Sequence, residues 1–230
     1  DDMVSRGLGD VYKRQLEYTP ENVERIGRMM ATEALRAIQN DNSAIGWYDS
    51  KLKAAKAVMR LVEPRIDQNE GAFDYALAVT SNGQAVTENF KYALDVFRTY
   101  MDTGVMPENF EQGGERANAM RNAFKFYNAW QNSGQNETID EFMNTDFTVR
   151  ELEQFIEQFN ERNGTELSVG SSENQDADVK GSFVLGAKIG QGFYQNIRGN
   201  YDPLTMDIWW MRMWNRLVGR PFEPPSQERD

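Results

Sequence analysis

Three observations predict an all-α fold. Apolar residues recur at three- and four-residue intervals over most of the 230-residue chain. Helix-starting residues precede several of these stretches, and no segment alternates polar and apolar residues as a half-buried strand does. A chain of this length can bury a sizeable core, and 40% apolar with 27% charged residues is ordinary for a globular protein.

Residues 1–15 (DDMVSRGLGDVYKRQ) show no periodicity and resemble a translated adapter remnant. They are expected to be disordered and non-native, leaving 16–230 as a single helical domain. Thr19-Pro20 reads as a cap followed by proline at the first helical position, opening a helix to about Asn40. A second helix is expected from about Asp49 to Glu63, with Leu52, Ala55, Val58, Met59 and Val62 on its inner face and Pro64 ending it. Residues 72–80 (AFDYALAVT) form a short apolar helix, and Ser81-Asn82-Gly83 interrupts it. The next helix carries Val86, Phe90, Ala93, Leu94 and Phe97 at helical spacing.

After a glycine-rich loop at 111–114, residues 115–130 place Ala117, Met120, Phe124 and Tyr127 on one face, and 131–136 is a polar linker. Thr148-Val149-Arg150-Glu151 is a capping box, starting a helix with Val149, Leu152, Phe155, Ile156 and Phe159 inward. A polar loop follows over 163–178. Two last helices are expected at about 181–197 and 203–218, joined by a turn at 198–203.

The residue types that are missing restrict the chemistry. The chain has no cysteine and no histidine, so disulfides, thiolate nucleophiles, Ser-His-Asp catalysis and Cys- or His-ligated metals are excluded. The acids of 137–178 fall at scattered helical phases, so no metal site is expected there, and no cofactor is expected anywhere. No apolar run approaches the 18 or more residues of a membrane span, and a cytoplasmic monomer is expected, in a bacterial or phage-infected cell.

Charge is distributed unevenly. The net charge is −11, yet 137–178 alone carries −10 while 179–220 carries +4. Acidity overall argues against a nucleic-acid partner, whereas the basic C-terminal stretch suits one. Within that stretch, Lys188 and Asp207 are separated by one helix, a turn and the start of another. A lysine amine beside a carboxylate can act as a nucleophile pair. The same two residues, taken alone, are also what a surface lysine and a helix-start carboxylate look like.

Gly186-Ala187-Lys188 followed by Met206-Asp207-Ile208 resembles the Gly-x-Lys hairpin and Val/Ile-Asp of the helix-hairpin-helix DNA glycosylase superfamily, which includes endonuclease III and 8-oxoguanine DNA glycosylase. Upstream, AVTSNGQAVTENFKYALDVF (78–97) resembles that superfamily's helix–loop–helix carrying a gap-filling amide. The first likeness covers 37 residues and the second about 20. The usual Leu-Pro-Gly-x-Gly hairpin stands here as Phe183-Val184-Leu185-Gly186, without the proline and with one glycine, and the four cysteines of endonuclease III are absent.

The resemblance implies a two-lobed helical glycosylase-like domain with its catalytic segment at 181–218. Its partner would be double-stranded DNA with a flipped base. Lys188 and Asp207 would be catalytic. Asn82, or Gln84 in its place, would fill the gap left by the base. Gly186, Arg198, Arg212 and Arg216 would contact DNA, and Trp209 and Trp210 would line the base pocket. Two other readings stay open: a non-catalytic DNA-binding or virion-associated helical protein, and a phage DNA base-modifying enzyme on the same scaffold.

Overall fold

The computed structural model describes residues 19–40, 47–169, 174–206, 212–213 and 216–217. The chain is predominantly helical and divides into two compact units, Asp1–Ser50 with Met206–Asp230, and Lys51–Thr205. The segment 181–218, expected to act as one piece, is divided between them after Thr205. Residues 1–15 lie outside the described residues.

In the first unit α1 (Pro20–Asn40) begins as expected, with the Thr19 hydroxyl accepting from the Asn22 amide at 3.2 Å. Of its apolar residues only Ile26 is buried, while Val23, Leu35 and Ile38 are exposed. Arg216 pairs with Glu33 at 3.1 Å, and Leu217 is buried.

The second unit holds the large core. It is built from α2 (Trp47–Val62, of which Lys51 onward belongs here), α3 (Glu70–Thr80), α4 (Val86–Thr103), α5 (Ala117–Asn132), α6 (Ile139–Asn144) and α7 (Val149–Asn163). Helix α3 is buried from Ala72 to Thr80, which explains its apolar sequence on every face. Around it pack Phe73 against Phe97 edge-on, Tyr75 against Tyr127, and a run of rings from α5, α6 and α7 that includes Trp130, Phe142, Phe155 and Phe159. The Tyr75 hydroxyl, fully buried, donates to the Ala123 carbonyl at 2.7 Å. The capping box at Thr148/Glu151 forms as read from the sequence, and a second one at Thr138/Glu141 starts α6. Each puts a glutamate carboxylate on backbone and hydroxyl donors of its threonine, which lowers the carboxyl pKa of Glu141 and Glu151.

The polar linker expected at 131–136 is non-helical from Ser133 on, and α6, not read from the sequence, follows it. Other expectations are corrected. A two-stranded antiparallel ribbon, β1 (Asp146–Thr148) with β2 (Asp178–Lys180), occurs where no strand was read, because three residues are too few to show an alternation. Its first pair sets Asp146 opposite Lys180, with their side chains 2.7 Å apart. On α2, Leu52 is buried and Met59 packs against the core as read, whereas Val58 and Val62 are exposed and Lys56 is buried, so the inner face is turned partly away from the one the apolar pattern marks. Finally, the helix expected over 181–197 is broken at Gly186 into a 3₁₀ turn (Gly181–Leu185), a π-helix (Ala187–Tyr194) and the short α8 (Gln195–Ile197). Residues 203–206, where the last helix was expected to begin, are irregular.

Candidate functional site

A cleft of about 290 Å³ in the second unit is lined by the end of α3, the first turns of α5, the loop after α7 and the turn at Gly186. Its buried floor is apolar: Val79, Met120, Ala123, Val184 and Ile189. The polar groups around it are Asn82, Asn122, Glu166 and Ser168. None of these four side chains has a hydrogen bond or ion pair among the described residues.

Each wall is held from behind. Helix α3 ends with Thr80, completely buried, whose hydroxyl shares its single O–H between Ala76 O at 2.8 Å and Asn89 Oδ1 at 2.7 Å, tying this end to the first turn of α4. The turn that follows presents Asn82, half-buried, and then Gly83 at φ 77°. The loop after α7 hangs on Asn160. That side chain donates to Leu167 O at 2.7 Å and accepts from the Thr165 hydroxyl at 2.6 Å. Glu166, exposed at the cleft, therefore sits between two anchored neighbours.

The turn at Gly186 has φ 87° and ψ 163°, a backbone conformation that side-chain-bearing residues rarely adopt. It reverses the chain between two helical arms that approach very closely. A Cβ placed on Gly190 would lie 1.6 Å from the Ser182 carbonyl oxygen. Buried Gln195 stitches the arms together, its amide donating to Ser182 Oγ at 3.0 Å and to Met143 O at 3.1 Å. Gln191 accepts from the Lys180 amide at 2.9 Å.

Lys188, in the first turn of this π-helix, is exposed and has no ion pair among the described residues. Its neighbours Gly186 and Ile189 line the cleft, but Lys188 stands outside the lining. Asp207, Trp209 and Trp210 lie outside the described residues. Gln84 is half-buried, and its backbone amide donates to Ser81 O in the turn. Arg212 is half-buried and Arg216 is the partner of Glu33.

Arg198 is used differently from the phosphate contact the resemblance implies. Its Nη2 lies 2.8 Å from Asp140 and its Nη1 3.2 Å from Asp74. Asp74, 1% exposed at its side chain, also faces Lys56 Nζ at 2.6 Å, and Lys56 reaches Glu70 at 3.0 Å. Tyr194 donates to the other Asp140 oxygen at 2.8 Å, and Arg60 donates to Glu70 at 2.9 Å. Burial raises the Asp74 carboxyl pKa, against the pull of Lys56 and Arg198. For Glu70 burial acts the same way, but the Lys56 hydrogen bond and charge win and the carboxyl is lowered. Burial and the adjacent Asp140 charge push the Tyr194 hydroxyl up. Neither Lys56 nor Asp74 lines the cleft.

The sequence reading thus found two members of the cleft, Asn82 and Gly186, and missed Asn122, Glu166 and Ser168. Nothing local marks those three; they meet only through the packing of α5 and the Asn160-held loop. Among the described residues, no group of three or more acidic side chains converges as a metal site would, and no helix is long and apolar enough to cross a membrane. Compared with known protein families, with curated proteins and with solved structures, the chain matches none.

Proposed function

We propose that the second unit presents the Asn82 turn and the Gly186–Lys188 hairpin together to DNA, as a glycosylase that extrudes a base and attacks its sugar. One observation carries the reading: Asn82 and Gly186, which belong to separate stretches resembling one superfamily, line the same cleft. A duplex base is out of reach while stacked, so it must be flipped out. Asn82 would enter the space it leaves and hydrogen-bond the orphaned partner. The backbone amides that open the π-helix, which precede any intrahelical acceptor, would hold a phosphate.

Lys188 Nζ then attacks C1′, the glycosidic bond breaks, and the base leaves with the bonding electron pair. Opening of the sugar ring at the C1′–O4′ bond gives a Schiff base, whose electron-withdrawing character supports loss of the 3′-phosphate by β-elimination. The covering duplex would take exposed Lys188 out of water, and the amine proton would pass to a carboxylate that also stabilises the developing positive charge on the sugar, the role the resemblance gives Asp207, which lies outside the described residues.

The test is borohydride trapping on duplexes carrying an abasic site or 8-oxoguanine, with wild type and Lys188→Ala side by side. A covalent adduct lost in the variant is expected. Binding at low salt without an adduct on either duplex favours the non-catalytic DNA-binding reading, and absence of binding ends the nucleic-acid reading.

A further inference from the structure

The cleft carries a binding specificity of its own, independent of any chemistry at Lys188. We infer that it binds a guanine ring, with Glu166 accepting from the two adjacent N–H groups of the base and the Asn122 amide donating to its carbonyl oxygen. The argument begins with the apolar lining, where half-buried Leu167 and Leu185 stand over the buried Val79, Met120, Val184 and Ile189 and can meet a flat ring. A volume of about 290 Å³ lies at the lower end for ligand sites and suits one ring system.

Its rim decides which ring. Glu166 and Asn122 have no hydrogen-bond or ion-pair partner among the described residues, so their capacity is open to a ligand. An ionised carboxylate only accepts, and it accepts best from two donors side by side. Adenine and cytosine each offer an amino group beside a ring-nitrogen lone pair, which a carboxylate repels. Thymine and uracil offer one N–H between two carbonyls. Guanine alone among these places N1–H and the 2-amino group next to each other, with an acceptor, O6, beside them. Glu166 is also held in place for this work, because Thr165 and Leu167 on either side of it are bonded to Asn160.

The same edge is offered by free guanosine and by an unpaired guanine in a strand, and the experiment separates these sources. The full chain is titrated calorimetrically with guanosine, with inosine, and with an oligothymidylate carrying one guanine or one hypoxanthine. Hypoxanthine lacks only the 2-amino donor. Guanine is expected to bind roughly tenfold more tightly than hypoxanthine, the worth of one charge-assisted hydrogen bond. Glu166→Gln, at an exposed position that leaves folding intact, is expected to reduce guanine to the level of hypoxanthine. Asn160→Ala leaves every lining side chain in place and is expected to weaken guanine several-fold by loosening the loop.

Discrimination with the oligonucleotides alone assigns the ligand to an unpaired base in a strand; discrimination with guanosine as well assigns a nucleoside. Equal affinity for guanine and hypoxanthine, a preference that survives Glu166→Gln, or no binding of any of these overturns the inference. None of these outcomes depends on whether borohydride traps an adduct.

Discussion

The second unit contains two polar regions that treat their polar groups in opposite ways. In the cluster around Asp74 every charge meets another: Lys56, Arg198, Asp140, Glu70 and Arg60 are joined by contacts of 2.6 to 3.2 Å, and Tyr194 completes the set. Around the cleft, Asn82, Asn122, Glu166 and Ser168 meet nothing among the described residues. A buried charge without a partner costs several kcal/mol, so the first arrangement is what folding demands of ionic groups taken out of water. The half-buried amides of Asn82 and Asn122 and the exposed Glu166 and Ser168 are open to water or a ligand, so they can be changed at little cost to folding.

The sharpest way to break the contrast is to remove the shared carboxylate. Asp74→Ala removes the carboxylate that Lys56 and Arg198 share, leaving Lys56 with Glu70 and Arg198 with Asp140, and the expected loss is about 3 kcal/mol by denaturant unfolding. Replacing the pair together, as Lys56→Met with Asp74→Leu, removes both a buried cation and a buried anion and is expected to recover most of that loss. A double variant as unstable as Asp74→Ala alone would show that the charges are needed for packing geometry as well.

Next comes the hairpin, where backbone rather than charge sets the limit. Gly190→Ala forces a methyl group into the Ser182 carbonyl, 1.6 Å away, and one arm must move. An expected cost of about 2–3 kcal/mol follows from overpacking of this kind. Because Gly186 shares the turn, the same variant is expected to weaken any ligand of the cleft, which circular dichroism and titration can separate.

Glu63 extends the partnered class into pH. Hydrogen bonds from Arg65, aided by Arg98, hold its carboxyl down at about 2 against a usual value of 4.5. A depressed carboxyl stabilises the fold above its unfolded value and loses that contribution as the pH falls toward the folded one. The melting temperature is therefore expected to drop between about pH 4.5 and 2 by more in wild type than in Glu63→Gln. The contribution is on the order of 1 kcal/mol, since Arg65 is well exposed to water.

The division between the two regions also explains what the sequence could tell. Helix α7 was legible to its first residue because a capping box and an apolar stripe are local signals, and α3 because burial on all sides leaves an apolar run interrupted only by Asp74 before Thr80. The inner face of α2 was read only in part. Lys56 counts as polar in any pattern, and its burial depends on Asp74 and Glu70, which only the fold brings near it. The single helix expected over 181–197 failed at Gly186, where a positive φ overrides a periodicity that continues on both sides. Asn82 and Gly186 were found through their flanking motifs, whereas Glu166 lies in a polar loop with no periodicity, and only the Asn160 hydrogen bonds give it a position.

The smallest expected effect is the most informative. Asn82→Ala, Asn122→Ala and Glu166→Gln each delete a group with no partner among the described residues, so none removes an interaction that holds the fold. Each is expected to change stability by no more than about 0.5 kcal/mol. Measured by denaturant midpoint beside Asp74→Ala, they set the two regions on one scale. If Glu166→Gln destabilises by 2 kcal/mol or more (roughly what a lost charged hydrogen bond costs), the carboxylate has a structural partner and the cleft belongs with the Asp74 cluster. If stability holds while guanine affinity falls, the open groups serve a ligand and not the fold.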